Sequence, residues 1–371
     1  RGDIISLMSC NDEGKHRLLD LMAEYRIDSL QPLAEFIFAR SAAATREAID
    51  ALPEGIFEAE VQLDGYDSPI VLKAKMTIGG GTIDVDLAGS SPLAKRGINC
   101  PLGYSQAYAS FGIKVAVAPH VPNNHASLEA IRIDAPPGLI VSAERPAPVT
   151  ARHVVGQALP DLMLGCLSKA MPGKILAESA GALWVLAISG QDAGPEAPAF
   201  ASLNVALGGM GARPSSDGLS TTAFPSGVGA VSVEVAESVA PLLYEHKEFA
   251  RDSGGAGQWR GGLGQDIRVR ALKNQPLTVS AAAFERLNLG ASGRDGGYSG
   301  QAGAAAISDG QVINSKGLYV VPPGEALVLR TPGGGGFGAP ENRDPELVAR
   351  DLARGMISES AARDLYGHNK R

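Results

Sequence analysis

The sequence has few cysteines, no long apolar run and no cluster of basic residues, and each absence excludes a class of protein. Its three cysteines, Cys10, Cys100 and Cys166, lie far apart without a C-x-x-C pair, which argues against a disulfide framework and a structural zinc site. No apolar run reaches the roughly 20 residues that span a bilayer, and no signal peptide is visible. The formal net charge of −7 disfavours nucleic-acid binding. We therefore expect a cytoplasmic protein that binds neither nucleic acid nor a membrane.

Several common catalytic motifs are also absent. The glycine runs at 208–211 and 333–336 are not followed by Lys-Ser/Thr, which excludes a Walker A phosphate loop. A dinucleotide-binding pattern that starts at Gly255 breaks at Arg260. The sequence contains neither G-x-S-x-G nor H-E-x-x-H, the motifs of many serine hydrolases and zinc proteases.

Glycine, in contrast, is abundant, with 46 glycines among 371 residues. The densest run is residues 251–264, which read RDSGGAGQWRGGLG. Glycine is favoured where the backbone takes positive φ or where another group approaches it closely. A tryptophan and two arginines are unusual in a flexible linker. We therefore predict an ordered, packed loop that carries charge and buries Trp259.

This run resembles the signature of the hydantoinase B family, and five other segments resemble family motifs in the same order. They read RGD at 1–3, GINCPLG at 97–103, ARHVVGQ at 151–157, GGMGARPSSDG at 208–218 and TPGGGGFGAP at 331–340. The resemblance extends over nearly the whole chain. Members of this family are partner subunits, or C-terminal halves, of N-methylhydantoinases, 5-oxoprolinases and acetone- or acetophenone-type carboxylases.

The resemblance implies one subunit of a hetero-oligomeric, ATP-dependent hydrolase of cyclic amides such as hydantoin, 5-oxoproline or a lactam. A hydantoinase A type partner is expected to hold ATP and Mg and to phosphorylate the substrate for this subunit. A subunit of an ATP-dependent ketone carboxylase and a non-catalytic scaffold for the partner remain open alternatives. Family members carry a segment ahead of the RGD motif with metal-binding His and Asp residues. We expect any divalent metal to depend on that segment, which this chain, starting at Arg1, does not include.

Hydrophobic periodicity predicts an α+β fold, with mixed, largely antiparallel sheets between helical N- and C-terminal segments. We expect a helical segment at 1–52, a core domain at 53–340 with a possible subdivision near 150–180, and C-terminal helices at 341–371. In that last segment Asp344 and Ser358 each precede a predicted helix, as helix N-caps do.

Within the core, residues 56–64, 70–78 and 83–87 alternate between apolar and polar side chains, which predicts an antiparallel meander. Helices are predicted at 105–117 and 159–171. Further strands are predicted at 183–189, 201–207, 230–235, 266–271, 277–283 and 326–330.

Two residues are candidates for catalysis. His153 lies beside Arg152, just ahead of the helix predicted at 159–171, and a histidine with a near-neutral pKa can act as acid or base. Its alternative role is a hydrogen bond to the backbone in a structural turn. Arg213 follows a predicted strand and a glycine turn, where a guanidinium can bind a carboxylate or phosphate with two parallel bonds. Its alternative is an ion pair within the chain, for example with Asp217.

Five further residues are candidates for substrate binding: Asn99, Gly211, Arg251, Asp252 and Arg260. Asn99 lies in a tight segment, where its amide can bind a substrate or cap its own turn. Gly211 lies in the glycine turn before Arg213. Arg251 and Arg260 bracket the 251–264 run, with an internal ion pair as their alternative. No metal site is predicted in this chain. His120 and His125 lack a nearby carboxylate before Glu129, and a single metal usually takes three or four ligands.

Overall fold

The computed structural model describes residues 1–191, 198–314 and 316–368. It confirms the α+β class, with helices at both ends and mostly antiparallel sheets between them. The α-helices are α1 (Gly2–Glu24), α2 (Gln31–Asp50), α3 (Leu102–Val117), α4 (His125–Leu128), α5 (His153–Gly156), α6 (Leu159–Ala170), α7 (Val233–Val239), α8 (Pro345–Ala353) and α9 (Glu359–Tyr366).

The strands are β1 (Gly55–Leu63), β2 (Ile70–Gly79), β3 (Thr82–Asp86), β4 (Ile131–Asp134), β5 (Leu183–Gln191), β6 (Ala199–Leu207), β7 (Leu242–Phe249), β8 (Gln265–Ala271), β9 (Leu277–Ser280), β10 (Ala304–Ile307), β11 (Leu318–Val321) and β12 (Ala326–Arg330). The described strands form three four-stranded sheets.

The first sheet has the order β1-β2-β3-β4 and forms one hydrophobic core with α3 and α6. Its three N-terminal strands form the predicted meander, from Gly55 opposite Ile78 to Leu63 opposite Ile70 in the first pair. Side chains alternate along β2, so that Leu72, for example, is buried while the lysines beside it face solvent. Strand β4, which the sequence did not predict, lies parallel to β3.

The other two sheets, β10-β12-β8-β7 and β11-β9-β5-β6, share a second core. Trp184 and Phe284 stack at its centre, with ring centroids 4.6 Å apart, and both are fully buried. Every strand pair in these two sheets is antiparallel. The second core begins at Ala180, directly after the last residues of α6 and its following loop.

Glycine-rich segments from four parts of the chain, 208–218, 253–264, 290–303 and 331–338, pack side by side next to the second core. Their backbones hydrogen-bond to one another, as when Gly334 N–H donates to Gly262 O at 2.9 Å. A Cβ on Gly261 would lie 1.9 Å from Gly334 O, closer than any side chain permits. The segments therefore need glycine because their backbones are in contact.

The 251–264 run is ordered, as predicted, but Trp259 is half-buried rather than buried. Its backbone pairs with Phe337, with N–H to O distances of 2.9 Å in both directions. The run is thus fixed by main-chain pairing, and the indole is only partly covered.

The strand predicted at 230–235 is wrong, because α7 occupies much of that range. Ser232 is the N-cap and its hydroxyl accepts the Val235 N–H at 3.4 Å. A short apolar run fits a helix turn as well as a strand, and the serine cap selects the helix. The N-cap predicted at Asp344 is confirmed, since its side chain accepts from Glu346 N–H. The helix predicted to follow Ser358 is also present, and the Ser358 hydroxyl caps it by accepting from Ala361 N–H.

Candidate functional site

His153 begins α5, a helix of one turn between the two cores. Its ring is half-buried, and among the described residues its Nε2 atom is buried without a hydrogen-bond partner. Burial is the main cause that lowers the pKa of His153, and the positive charges of Arg152 and Lys316 lower it further. The imidazole is therefore neutral at pH 7 and can accept a proton.

Gln157 follows His153 by one helical turn and lies on the same face of α5. It is 1% exposed. Its Nε2 atom donates to the Ser226 hydroxyl, while its Oε1 atom has no partner within the described residues. Ser226 also contacts the Tyr108 hydroxyl at 3.2 Å. Gln157 ends the ARHVVGQ segment at 151–157 but was not among the predicted site residues, because the sequence does not show which groups a buried amide faces.

Two stacked tyrosines pack near α5. Tyr104 and Tyr108 have ring centroids 4.7 Å apart, and the guanidinium of Arg152 lies 5.3 Å from the Tyr104 ring. Burial and the neighbouring Tyr108 raise the pKa of Tyr104, so its hydroxyl stays protonated. A Cβ on Gly156 would lie 2.4 Å from Tyr104, so glycine is required for this contact.

A buried ion pair adjoins His153. Lys316 contacts the Glu285 carboxylate, and their side chains are 2% and 5% exposed. The ammonium also donates to Phe284 O at 2.7 Å and lies 5.6 Å from the Tyr66 ring centroid. Burial raises the pKa of Glu285, and the charge of Lys316 opposes that shift. This cation is the one that acts on His153 from outside α5.

Arg213 lies in the 208–218 glycine segment. One of its terminal nitrogens donates to the backbone oxygen of Asp217 at 2.9 Å, and its Nε is buried without a partner in the described structure. The Asp217 carboxylate pairs instead with Arg343, at 2.7 Å, and with Arg350, at 3.2 Å. The internal ion pair that was the alternative for Arg213 is therefore not formed among the described residues.

Arg260, in contrast, adopts the internal alternative. It is 3% exposed, and its Nε donates to Asp351 on α8. Arg343 bridges Asp351 and Asp217. Although burial alone would raise it, the hydrogen bonds and charge of Arg343 hold the pKa of Asp217 below its ordinary value. Arg260 thus fastens the C-terminal helices to the glycine segments and is not available to a substrate.

Asn99 is also fully engaged inside the chain. It is 0% exposed; its Oδ1 accepts from Ala94 N–H at 2.8 Å, and its Nδ2 donates to Ala94 O, Arg96 O and Pro148 O. This arrangement supports the turn-capping alternative rather than substrate binding.

Gly211 contributes packing and a backbone bond. Its N–H donates to the Ser179 hydroxyl at 3.0 Å, and a Cβ there would lie 1.9 Å from Ala177 O. This close approach explains why glycine is needed at the position.

Arg251 and Asp252 hold the loop before α9. Arg251 Nε donates to Gly355 O at 3.1 Å, and Asp252 Oδ1 accepts from Ser358 N–H at 2.8 Å. Asp252 has a φ of 62°. Both side chains therefore form hydrogen bonds within the chain. They belong to a segment that is far from His153 in the sequence.

A second buried acid cluster was not predicted. Asp161, on α6, is 3% exposed; its Oδ1 accepts from Ser179 N–H at 3.2 Å, and its Oδ2 has no partner in the described structure. Burial, and then the charge of Glu178, raise the pKa of Asp161 to about 8. Glu178 itself contacts Arg286. Two carboxyls of unequal acidity therefore lie close together between the two cores.

Within residues 1–191, 198–314 and 316–368, no three His, Cys, Asp or Glu side chains are grouped as a metal site would require. His125 lies 3.5 Å from Glu129 on the surface. None of the described helices is long and apolar enough to cross a bilayer.

Comparison with known proteins identifies the family. A model described as "Hydantoinase B/oxoprolinase" matches residues 1–340. The chain belongs to the hydantoinase B/oxoprolinase family. Helices α8 and α9 lie beyond the matched residues, although Arg343 and Asp351 bind them to the matched part.

Three curated relatives show the spread of this family. A candidate B-type subunit of a D-/L-hydantoinase from Pseudomonas sp. (strain NS671) is 28% identical over 99% of this chain and 64% of the relative. The beta subunit of the caprolactamase from Pseudomonas jessenii is 25% identical over 99% and 65%. The 5-oxoprolinase PfmaA of Pestalotiopsis fici is 25% identical over 91% of this chain and 27% of the relative. The chain thus spans less than two thirds of each of these relatives, two of which are named as subunits.

Two solved structures share the fold. The ATP-dependent caprolactamase of Pseudomonas jessenii superposes with a TM-score of 0.86 at 23% identity, over 97% of this chain and 65% of that one. A nucleotide-free acetone carboxylase superposes with a TM-score of 0.77 at 19% identity, over 95% and 54%. The arrangement of both cores is therefore shared with these proteins.

Proposed function

We propose that this hydantoinase B family chain takes part in ATP-dependent hydrolysis of a cyclic amide, with His153 as its proton-transfer residue. The observation that carries the proposal is the buried, unpartnered Nε2 of a neutral imidazole, held beside a lysine and an arginine. Such a nitrogen can take a proton from water as the water oxygen attacks an activated carbon. The names of the relatives support the substrate class, because hydantoin, caprolactam and 5-oxoproline all contain a ring amide.

Amide hydrolysis by this route needs activation, because an amide carbon is a poor electrophile. A hydantoinase A type partner transfers the γ-phosphoryl group of ATP to the carbonyl oxygen. Water then adds to the same carbon, and the C–N bond breaks with proton transfer to nitrogen, which leaves a ring-opened acyl phosphate. A second water hydrolyses this acyl phosphate to the carboxylic acid and phosphate. The products are the ring-opened acid, ADP and phosphate. Arg213, which has an unpaired guanidinium edge, is our candidate for binding the anionic intermediate.

The proposal is tested by assaying this chain together with a hydantoinase A type subunit and ATP. Release of phosphate that depends on 5-oxoproline, hydantoin or caprolactam, and that is lost in His153→Ala at unchanged melting temperature, is the expected result. Bicarbonate-dependent consumption of acetone would instead assign the carboxylase alternative. Full activity of His153→Ala would leave this chain as a scaffold for its partner.

A further inference from the structure

Two buried polar atoms on one turn of α5 lack hydrogen-bond partners among the described residues: His153 Nε2 and Gln157 Oε1. Buried polar groups are nearly always hydrogen-bonded, because an unsatisfied one costs about 1–3 kcal/mol. Two such atoms one turn apart, beside a Ser226 hydroxyl that contacts both Gln157 and Tyr108, indicate a place for a ligand.

The two side chains are held on one helix face. The Gln157 N–H donates to His153 O at 2.9 Å, which continues the helical turn, and residues four apart in a helix lie about 5–6 Å from each other. The Ser226 hydroxyl holds the Nε2 end of the Gln157 amide. The oxygen end is therefore the one left for a ligand, and it can only accept a hydrogen bond.

The hydrogen-bonding groups of His153 and Gln157 determine which ligand can bind both of them. A neutral imidazole nitrogen that carries its hydrogen donates to a carbonyl oxygen, and the Gln157 oxygen accepts an N–H. A ring amide is cis and presents its N–H and C=O on the same edge, whereas an open-chain secondary amide is trans and presents them on opposite edges. The cis form therefore presents its two groups to the same helix face.

We propose that His153 and Gln157 form a two-point binding site for the cis edge of a cyclic amide, with Gln157 accepting the ring N–H and His153 facing the ring C=O. This inference rests on the proposed function and adds the means by which the ring is recognised. Once the carbonyl oxygen carries a phosphoryl group, it no longer needs the imidazole donor. The imidazole then changes tautomer, with its hydrogen on Nδ1, so that Nε2 can accept the proton of water at the adjacent carbon.

Entry to the site involves the loop between β6 and α7. Gln157 is 1% exposed, and Ser226 of this loop lies against both Gln157 and Tyr108. Thr221 and Ala223, in the same loop, have φ values of 52° and 47°, which are strained for residues other than glycine. The ligand therefore enters as this loop moves away from α5.

The test measures binding of three small amides to the chain without ATP or partner, by NMR of the His153 imidazole. The probes are 2-pyrrolidinone, N-methyl-2-pyrrolidinone, which lacks the N–H, and N-methylacetamide, which is trans. We expect 2-pyrrolidinone to bind about three- to tenfold more tightly than the other two, the range of one neutral hydrogen bond. Equal binding of the three amides, or no binding of any, would overturn the proposal.

Variants test whether Gln157 causes the preference for 2-pyrrolidinone. Gln157→Leu should bind 2-pyrrolidinone and its N-methyl derivative equally, whereas Gln106→Leu, on α3 and bonded to Ile133 O, should keep the wild-type preference. Ser226→Ala leaves the Gln157 oxygen in place and should also keep it. If Gln157→Leu does not fold, the wild-type series with the three amides decides alone. Because no turnover is required, loss of the proposed ATP-dependent activity would not change this result.

Discussion

Arg260 and Asp351 form a buried ion pair, with Nε 3.0 Å from Oδ2 and the two side chains 4% and 0% exposed. They are 91 residues apart in the sequence, and together with Arg343 they join the C-terminal helices to the glycine segments. Removing one partner of a buried ion pair strongly destabilises the protein, because the other charge is then buried without compensation.

Replacing Asp351 should therefore destabilise the protein strongly. Asp351→Asn leaves two buried guanidinium groups without their shared carboxylate, and we expect a loss of about 3–5 kcal/mol in the free energy of unfolding. Urea denaturation measures it. Asp364→Asn is the matched control, because Asp364 pairs with Arg363 on the surface, where an exposed ion pair contributes little, and it should change stability far less. Similar effects of the two variants would contradict the role of the buried cluster.

The buried acid Asp161 predicts a pH dependence of stability. Its pKa in the folded protein, about 8, lies above the ordinary value of about 3.9, so the folded state holds more protons between these limits. Stability from this group is present at low pH and is lost as the pH rises through about 8.

Asp161→Asn removes this titration and should gain stability relative to wild type as the pH rises from about 4 to 8, on the order of 5 kcal/mol for the full pKa difference. Denaturation at several pH values measures the difference. Asp12→Asn, an exposed carboxyl on α1, serves as the control. A constant difference between Asp161→Asn and wild type at all pH values would show that Asp161 does not titrate in this range.

The positive charge of Arg152 should affect the pKa of His153. Because that charge is one of the causes that lower the pKa of His153, Arg152→Gln should raise the pKa, while Arg152→Lys, which keeps the charge, should leave it nearly unchanged. NMR titration of the imidazole gives both values. In the active complex, the acid limb of the pH–rate profile should move to higher pH in Arg152→Gln. An unchanged His153 pKa in both variants would show that the charge of Arg152 does not contribute to it.

Arg213→Ala should lower turnover by about ten- to a hundredfold, the effect of losing a charge-assisted pair of roughly 1.5–3 kcal/mol, at an unchanged melting temperature. Arg213→Lys should recover little, because an ammonium does not reproduce the two-pronged geometry. Steady-state kinetics of the complex provides the measurement. Arg354→Ala, at an exposed position, should be neutral. Near-wild-type turnover of Arg213→Ala would show that Arg213 has only a structural role, through its bond to Asp217 O.

Two glycine substitutions should distinguish a position where a close backbone contact requires glycine from one where glycine only lowers helix propensity. Gly261→Ala places a Cβ where Gly334 O already lies, at 1.9 Å, and should prevent the glycine segments from packing. Gly103→Ala, in α3 with no atom within 4 Å of its Cβ, should be neutral or stabilising by up to about 1 kcal/mol. Thermal unfolding of both variants gives the comparison, and a stable Gly261→Ala protein would contradict the observed packing.

Local patterns were sufficient to predict part of this fold. The meander of the first sheet follows from alternating side chains, and the C-terminal helices follow from Asp344 and Ser358 as caps. Strand β4 was missed because its four residues carry little pattern, and its parallel partner lies 48 residues earlier, as in the pairing of Ile83 with Ile131. Burial of Trp259 was overestimated because main-chain pairing, not the indole, fixes that loop.

The candidate site was predicted in part. His153 was found from its position beside Arg152, ahead of a helix. Gln157 and Lys316 were missed, because their importance depends on which residues face them across the fold, and Lys316 lies far from His153 in the sequence. Arg260 was chosen for its charge, yet that charge is neutralised by Asp351, which lies far along the chain.

The packed glycine segments also bear on how the chain folds. The bond from Ala212 N–H to Gly335 O, at 2.8 Å, closes a loop of more than a hundred residues, and contacts of this kind form late because the chain entropy is lost first. A contact between two glycine backbones buries no apolar side chain, so a single contact of this kind adds little stability. The glycine segments should therefore assemble after the two sheets behind them, as the slow step of refolding.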